Sequence, residues 1–231
     1  AIERIRGLLL DSEHTDRECH ILYLDLAKAY DSCEYWALEA AMRGLGVPEK
    51  ILTVMRKLDE GAEAKVLTGG AAGVTKGIKL GRGAPQGEVM SPLRFIAWMN
   101  LLMATIAKKK SLGYRCEGMV EGYPGQAFCD DGCFVAHSRD ELQEICNIVS
   151  AFCELFQVKI NADKSYYTVA RGKIGNKMAA EAWGTEEGVE GSIELWDHTA
   201  WGGKGEWKEV GETRPDEAVR YLGVMIAANR D

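Results

Sequence analysis

The sequence has no CxxC pair, no membrane-spanning apolar run, no low-complexity tract, no internal repeat and no excess of positive charge. Seven cysteines, odd in number and without paired spacing, argue against a disulfide framework and for reduced thiols in an intracellular compartment, nucleus or cytoplasm. Structural zinc would need closer cysteine pairs with histidine partners, and Cys129 and Cys133 need not converge. The longest apolar stretch, Pro92 to Ala107, carries Arg94 and Asn100 and falls short of bilayer thickness, so it reads as a core helix with no membrane partner. The charged, amphipathic start, Ala1 to Arg6, is not a secretory signal. A net charge of -7 excludes a surface that grips nucleic acid everywhere, while leaving room for a local basic groove.

What is present is an ordinary globular composition, 46% hydrophobic and 27% charged over 231 residues, enough for one large domain with a substantial core. Ile2, Ile5, Leu8 and Leu9 recur at helical spacing over residues 2–10, followed by a polar loop from Asp11 to Glu18. Cys19 to Leu26 reads as a buried strand. Asp31-Ser32 is expected to cap a helix with Trp36, Leu38, Ala41 and Met42 on its core stripe. Pro48 opens another, with Ile51, Leu52, Met55 and Leu58 on its stripe. Short β-prone pieces between Glu63 and Leu80 suggest a hairpin around Gly69-Gly70. Ser91 and Pro92 start the long apolar helix, and Ser138 with Glu141 forms a capping box for a helix striped with Leu142, Ile145, Val149 and Phe156. Strands are expected at Val158–Asn161, at Tyr166–Val169 and finally at Tyr221–Ile226. Residues 171–215 read as a peripheral β-rich insertion or loose loop. This order suits an α+β domain, an antiparallel sheet with helices packed on one face.

Most of the chemistry lies in Phe128-Cys129-Asp130-Asp131-Gly132-Cys133. Two adjacent carboxylates inside an apolar run are costly unless a cation or donors meet them. Held side by side at a tight turn they repel each other, and a divalent ion relieves that repulsion. Taken alone, the stretch is also an ordinary solvated turn.

In company with the rest of the chain the stretch says more. Leu24-Asp25-Leu26-Ala27-Lys28-Ala29-Tyr30-Asp31, then Gly83-Ala84-Pro85-Gln86-Gly87 with Ser91-Pro92-Leu93, then Phe128-Cys129-Asp130-Asp131 resemble motifs A, B and C of a reverse transcriptase palm. Ile160-Asn161 with Lys164-Ser165 resembles motif D, and Tyr221-Leu222-Gly223-Val224 motif E. Five motifs in the family's order over residues 20–226 resemble most closely the non-LTR retrotransposon type. Cys129 stands where alanine is usual, a small-for-small change.

The resemblance implies a polymerase palm with partial fingers. It implies two Mg²⁺ ions, with Mn²⁺ as the alternative, held by Asp25, the carbonyl of Leu26, Asp130 and Asp131. Lys164 would be the proton donor to pyrophosphate, or a cation near it, and otherwise a solvated turn lysine. Tyr30 would be the sugar gate that selects dNTPs, and otherwise a core aromatic. Gln86 and Gly87 would lie against nucleotide and template, and Tyr221, Leu222 and Gly223 would form the primer-gripping hairpin, and otherwise a plain buried strand. The implied partners are an RNA template, a DNA primer and dNTPs. Basic fingers before motif A and a thumb after motif E are not found, so residues 1–231 read as a single palm domain, a piece of a larger enzyme that alone is expected to be inactive. The competing readings are a non-catalytic polymerase-like module that binds RNA or protein, and an RNA-directed RNA polymerase.

Overall fold

A computed structural model describes residues 1–68, 73–85, 87–172, 175, 178, 191–198, 205–214 and 217–227. They fall into two compact units, Ala1–Ala27 with Leu102–Asp231, and Lys28–Leu101.

In the first unit a four-stranded antiparallel sheet is built around β1 (Cys19–Leu24). Across it the order is β5 (Gly125–Phe128), β6 (Asp131–Ala136), β1 and β8 (Tyr166–Ala170). All six positions of β1 are buried, because the sheet is covered on both sides and the strand can be apolar throughout. Cys19, Ile21 and Tyr23 share one core with Ile5, Leu8 and Leu9 of α1 (Ile2–Thr15). The long helix α6 (Arg139–Leu155) also packs on β1 and β6. The α+β class with an antiparallel sheet is as expected, and helical cover extends beyond one face.

Helix α1 runs through Thr15, past the expected end at Leu10. Polar residues there satisfy the backbone: Ser12 Oγ donates to the Arg17 carbonyl at 2.6 Å and to the Ala170 carbonyl at 3.2 Å. Thr15 Oγ1 donates to the Asp11 carbonyl. The capping box forms, with Ser138 Oγ accepting the Glu141 amide at 3.2 Å. Within residues 171–215, strands β9 (Ser192–His198) and β10 (Gly205–Gly211) pair as a hairpin. It is pinned to α6, where Gln143 exchanges two hydrogen bonds with the Glu194 backbone and Ser150 Oγ accepts the Trp196 amide.

The last segment is a tight hairpin, Val219–Tyr221 against Val224–Ile226, as the likeness to motif E implies, and not the single strand that the residues alone suggest. Leu222 (φ 49) and Gly223 (φ 80) turn it. Two successive positive φ values are what a two-residue turn between right-twisted strands requires, and Gly223 supplies one without strain.

The second unit holds α2 (Ala29–Ser32), α3 (Tyr35–Gly44), α4 (Glu49–Glu60) and the strand pair Glu63–Ala64 with Ile78–Lys79. Thr68 and Gly73 close toward each other, while Gly69-Gly70 lies outside the described residues. Asp31-Ser32 does not cap α3. Ser32 Oγ donates instead to the Lys28 carbonyl within its own short turn, and Glu34 precedes α3 without a side-chain cap. The α3 stripe holds at Leu38, Ala41 and Met42, which are buried, and fails at Trp36, 57% exposed; on α4 only Leu52 is buried, while Ile51 and Leu58 are exposed. The unit also holds a buried ion pair, Arg94 Nη1 to Asp59 Oδ1 at 2.9 Å and Nη2 to Oδ2 at 2.6 Å. Helix α5 (Ser91–Ala107) carries Arg94.

Candidate active site

The register of β1 on β6 sets Leu24 opposite Gly132. Asp25, directly after β1, and Asp131, first in β6, therefore stand at the same end of neighbouring strands. Phe128 pairs with Asp131, leaving Cys129 and Asp130 as a two-residue turn. Cys129 has φ 54, a left-handed backbone that costs a non-glycine residue about 1 kcal/mol.

Asp25 and Asp131 line a cavity of about 220 Å³ with Lys164, Arg220, Tyr23 and Tyr221. The Asp131 carboxyl is pushed up from the ordinary range, first by burial and then by the charges of Asp130 and Asp25. Asp130 is at the turn and is not among the cavity's lining residues, but its charge reaches Asp131. Motifs that are distant in sequence thus meet: an early carboxylate, the second aspartate of the middle pair, and basic groups from two later segments.

The turn carrying Lys164 is bonded to the backbone of Asp25. The Asn161 amide donates to the Asp25 carbonyl at 2.9 Å. The Asp25 amide donates to Ser165 Oγ at 3.2 Å, and that hydroxyl donates to the Asn161 carbonyl at 2.9 Å. Leu26 is buried and pairs with Ile160. The ring of Tyr221 is tilted against Tyr23, with centroids 5.2 Å apart, and Leu222 and Gly223 form the adjoining turn.

In the second unit, the Gly83 amide donates to the Cys33 carbonyl at 2.7 Å and the Ala84 amide to the Tyr30 carbonyl at 2.8 Å. Gly83 has φ 95, and a Cβ there would sit 3.2 Å from the Asp31 backbone. The loop after Leu80 is therefore docked on the turn that carries Tyr30. The Tyr30 ring stacks on buried Phe95, 4.5 Å between centroids and 15° between planes. Gly87 has φ 93 and open space around it. Gln86 lies outside the described residues.

Among the described residues, no three His, Cys, Asp or Glu side chains stand close enough together to hold a metal ion. The donor set nevertheless fits Mg²⁺, which takes one or two carboxylates and completes its shell with water and substrate phosphate. Asp25 and Asp131 supply two hard oxygen donors at one cavity. Ionisation of Asp131 is held back there first by burial and then by the charges of Asp130 and Asp25, which a cation would offset.

Arg220 was not among the residues singled out from sequence. Its only signal is a basic residue inside an otherwise apolar strand. Ser165 was legible as part of motif D, but its grip on the Asp25 amide was not.

An antiparallel sheet with an acidic hairpin beside a carboxylate-ending strand, in this motif order, defines a nucleotidyltransferase palm of the reverse transcriptase class. The pattern of the family described as "Reverse transcriptase (RNA-dependent DNA polymerase)" matches residues 2–226, and the chain belongs to that family. It is 26% identical over 174 residues to the Pol polyprotein of the type-2 retrotransposable element R2DM of Drosophila melanogaster, covering 75% of this chain and 16% of that one. In fold it is similar to telomerase of Candida tropicalis solved with a TWJ fragment of telomeric RNA. There the TM-score is 0.54 at 17% identity, over 73% of this chain and 28% of that one. A second structure, the apo enzyme truncated from its C-terminal domain, gives 0.55 at 17% identity, over 75% and 35% of the two chains. The chain thus spans about a sixth of the length of the retrotransposon relative. Among the described residues no helix is long and apolar enough to cross a membrane.

Proposed function

We propose that this chain is the palm module of a retrotransposon reverse transcriptase, catalysing attack of a DNA primer 3′-hydroxyl on the α-phosphate of a dNTP along an RNA template. The observation that carries the reading is the meeting of Asp25, Asp131 and Lys164 at one cavity, with Asp130 in electrostatic reach of Asp131. Asp25, Asp130 and Asp131, with the Leu26 carbonyl, would hold two divalent ions. Those ions lower the pKa of the attacking hydroxyl and neutralise the triphosphate.

The chain's own groups do the rest. Lys164 stands by for the leaving pyrophosphate as proton donor or counter-charge, on a turn tied to the Asp25 backbone. Tyr30, braced by Phe95, bars a ribonucleotide 2′-hydroxyl. By the same resemblance Gln86 and Gly87 would contact nucleotide and template, and Tyr221, Leu222 and Gly223 would support the primer. The chain acts as one module of a longer polypeptide. All seven cysteines are free, which supports a reducing compartment, nucleus or cytoplasm.

The test is primer extension on an RNA template by the full-length protein, with dNTPs and NTPs compared. The reading predicts dNTP incorporation that Asp130→Asn abolishes while the fold persists. Full activity in that variant would end it, and preferred NTP use would move the chain to RNA synthesis.

A further inference from the structure

The first unit carries a second and larger cavity, of about 660 Å³ and broadly open to solvent. Its lining includes Arg17, just before β1, and His137, just after β6. Because those strands are antiparallel, both residues lie at the end of the sheet away from Asp25 and Asp131. Six residues of β1 separate the two ends by about 20 Å.

The charges of the lining are two guanidiniums, Arg17 and Arg115, against one carboxylate, the exposed Glu117, with the imidazoles of His14 and His137 beside them. The His137 imidazole is held low first by burial, and among the charges Glu141 raises it while Arg115 and Arg17 lower it. Both guanidiniums therefore act on the same ring. His137 Nε2 accepts the Arg115 amide N–H at 2.9 Å, which fixes the ring as a wall.

Neither arginine is consumed by the fold. Arg17 reaches Asp11 Oδ2 only at 3.5 Å, and that oxygen already accepts the Tyr114 hydroxyl at 2.8 Å. The other Asp11 oxygen accepts the Glu117 amide. Arg115 donates to the Ser111 carbonyl and makes no ion pair among the described residues. Two guanidinium forks with unspent donors, in a polar and open cavity, match the oxygens of a phosphate. An apolar ligand would find little beyond Met119 to bury against.

We propose that this cavity is a second anion site that binds a phosphate ester through Arg17 and Arg115, either on a free nucleotide or in the backbone of a nucleic acid strand. The site is independent of the polymerase reading, since it shares no residue with the Asp25 cavity.

Binding is measured on the whole chain, without divalent metal and at low ionic strength, with two probes: ATP, and a short single-stranded RNA lacking terminal phosphates. Arg17→Gln with Arg115→Gln is expected to weaken the bound probe about a hundredfold, roughly tenfold for each fork removed. Glu117→Gln is expected to tighten it about twofold by removing the competing charge, a gain that misfolding cannot produce. A response with ATP alone assigns the site to free nucleotides, and one with the RNA assigns it to backbone. If the double variant changes neither probe, or loses binding while Glu117→Gln gives no gain, the proposal is overturned.

Discussion

Ser165 holds Asp25 by its main chain: the serine hydroxyl accepts a hydrogen bond from the Asp25 amide at 3.2 Å and donates one to the Asn161 carbonyl at 2.9 Å. Since Asn161 also donates to the Asp25 carbonyl, the Lys164 turn and the first carboxylate move as one piece. Ser165→Ala leaves a mostly buried amide and a carbonyl without that partner, which should cost about 1–2 kcal/mol in urea unfolding. Primer extension should fall about tenfold, a 1 Å misplacement being enough for that, and Ser165→Thr should restore most of it. An alanine variant with wild-type turnover would show that the clamp positions nothing.

Asp131 sets the sign of a pH effect. Its carboxyl lies above the ordinary range in the fold, because of burial and of Asp130 and Asp25. The native state therefore holds the proton more tightly than the unfolded chain. The contribution to stability is full below the unfolded value, near 3.9, and is lost as pH rises through the folded one. Without divalent ions, Asp131→Asn should melt like the wild type near pH 4 and higher at pH 7. Mg²⁺ should narrow the gap by raising the wild-type melting temperature more. A variant less stable at pH 7 than the wild type would contradict this.

The Arg94–Asp59 pair is buried, with side chains 3% and 11% exposed. Removing one member strands the other's charge, so Asp59→Asn should cost about 3 kcal/mol. Replacing both with apolar residues of similar volume should cost much less. Chemical denaturation of the two variants compares them directly.

Two glycines with similar backbone angles should respond differently. Gly83→Ala meets the Asp31 backbone at 3.2 Å in addition to its φ of 95, while Gly87→Ala, at φ 93, meets nothing within 4 Å. Conformational strain alone is worth about 1 kcal/mol. The first variant should lose about 2 kcal/mol or more and the second about 1 kcal/mol, read as a difference in melting temperature.

The sequence made the acidic end of the sheet legible and left parts of its frame obscure. Residues 126–136 announced two strands and an acidic tip because apolar flanks, turn chemistry and charge all pointed one way. Ser138 and Glu141 did the same for α6. Where one local signal competed with a tertiary one, reading failed. The polar residues Asp11 to Thr15 looked like a loop, but Ser12 finds carbonyls of Arg17 and Ala170 to donate to. Trp36 looked like core and is exposed, since helical periodicity reports a face without saying whether anything covers it. Leu222-Gly223 looked like strand interior, because only the backbone shows both residues at positive φ. Arg220 could not be assigned from sequence, as its place depends on where the last hairpin docks.

The central claim is that Asp25 shares cations with the acidic hairpin, and direct metal binding tests it most closely. Mn²⁺ bound to the chain is counted by electron paramagnetic resonance in the presence of primer, RNA template and a dNTP. The account predicts that Asp25→Asn and Asp130→Asn each weaken the binding seen in the wild type, by about tenfold or more. Wild-type Mn²⁺ affinity in the Asp25→Asn variant would show that the two segments hold no ion in common.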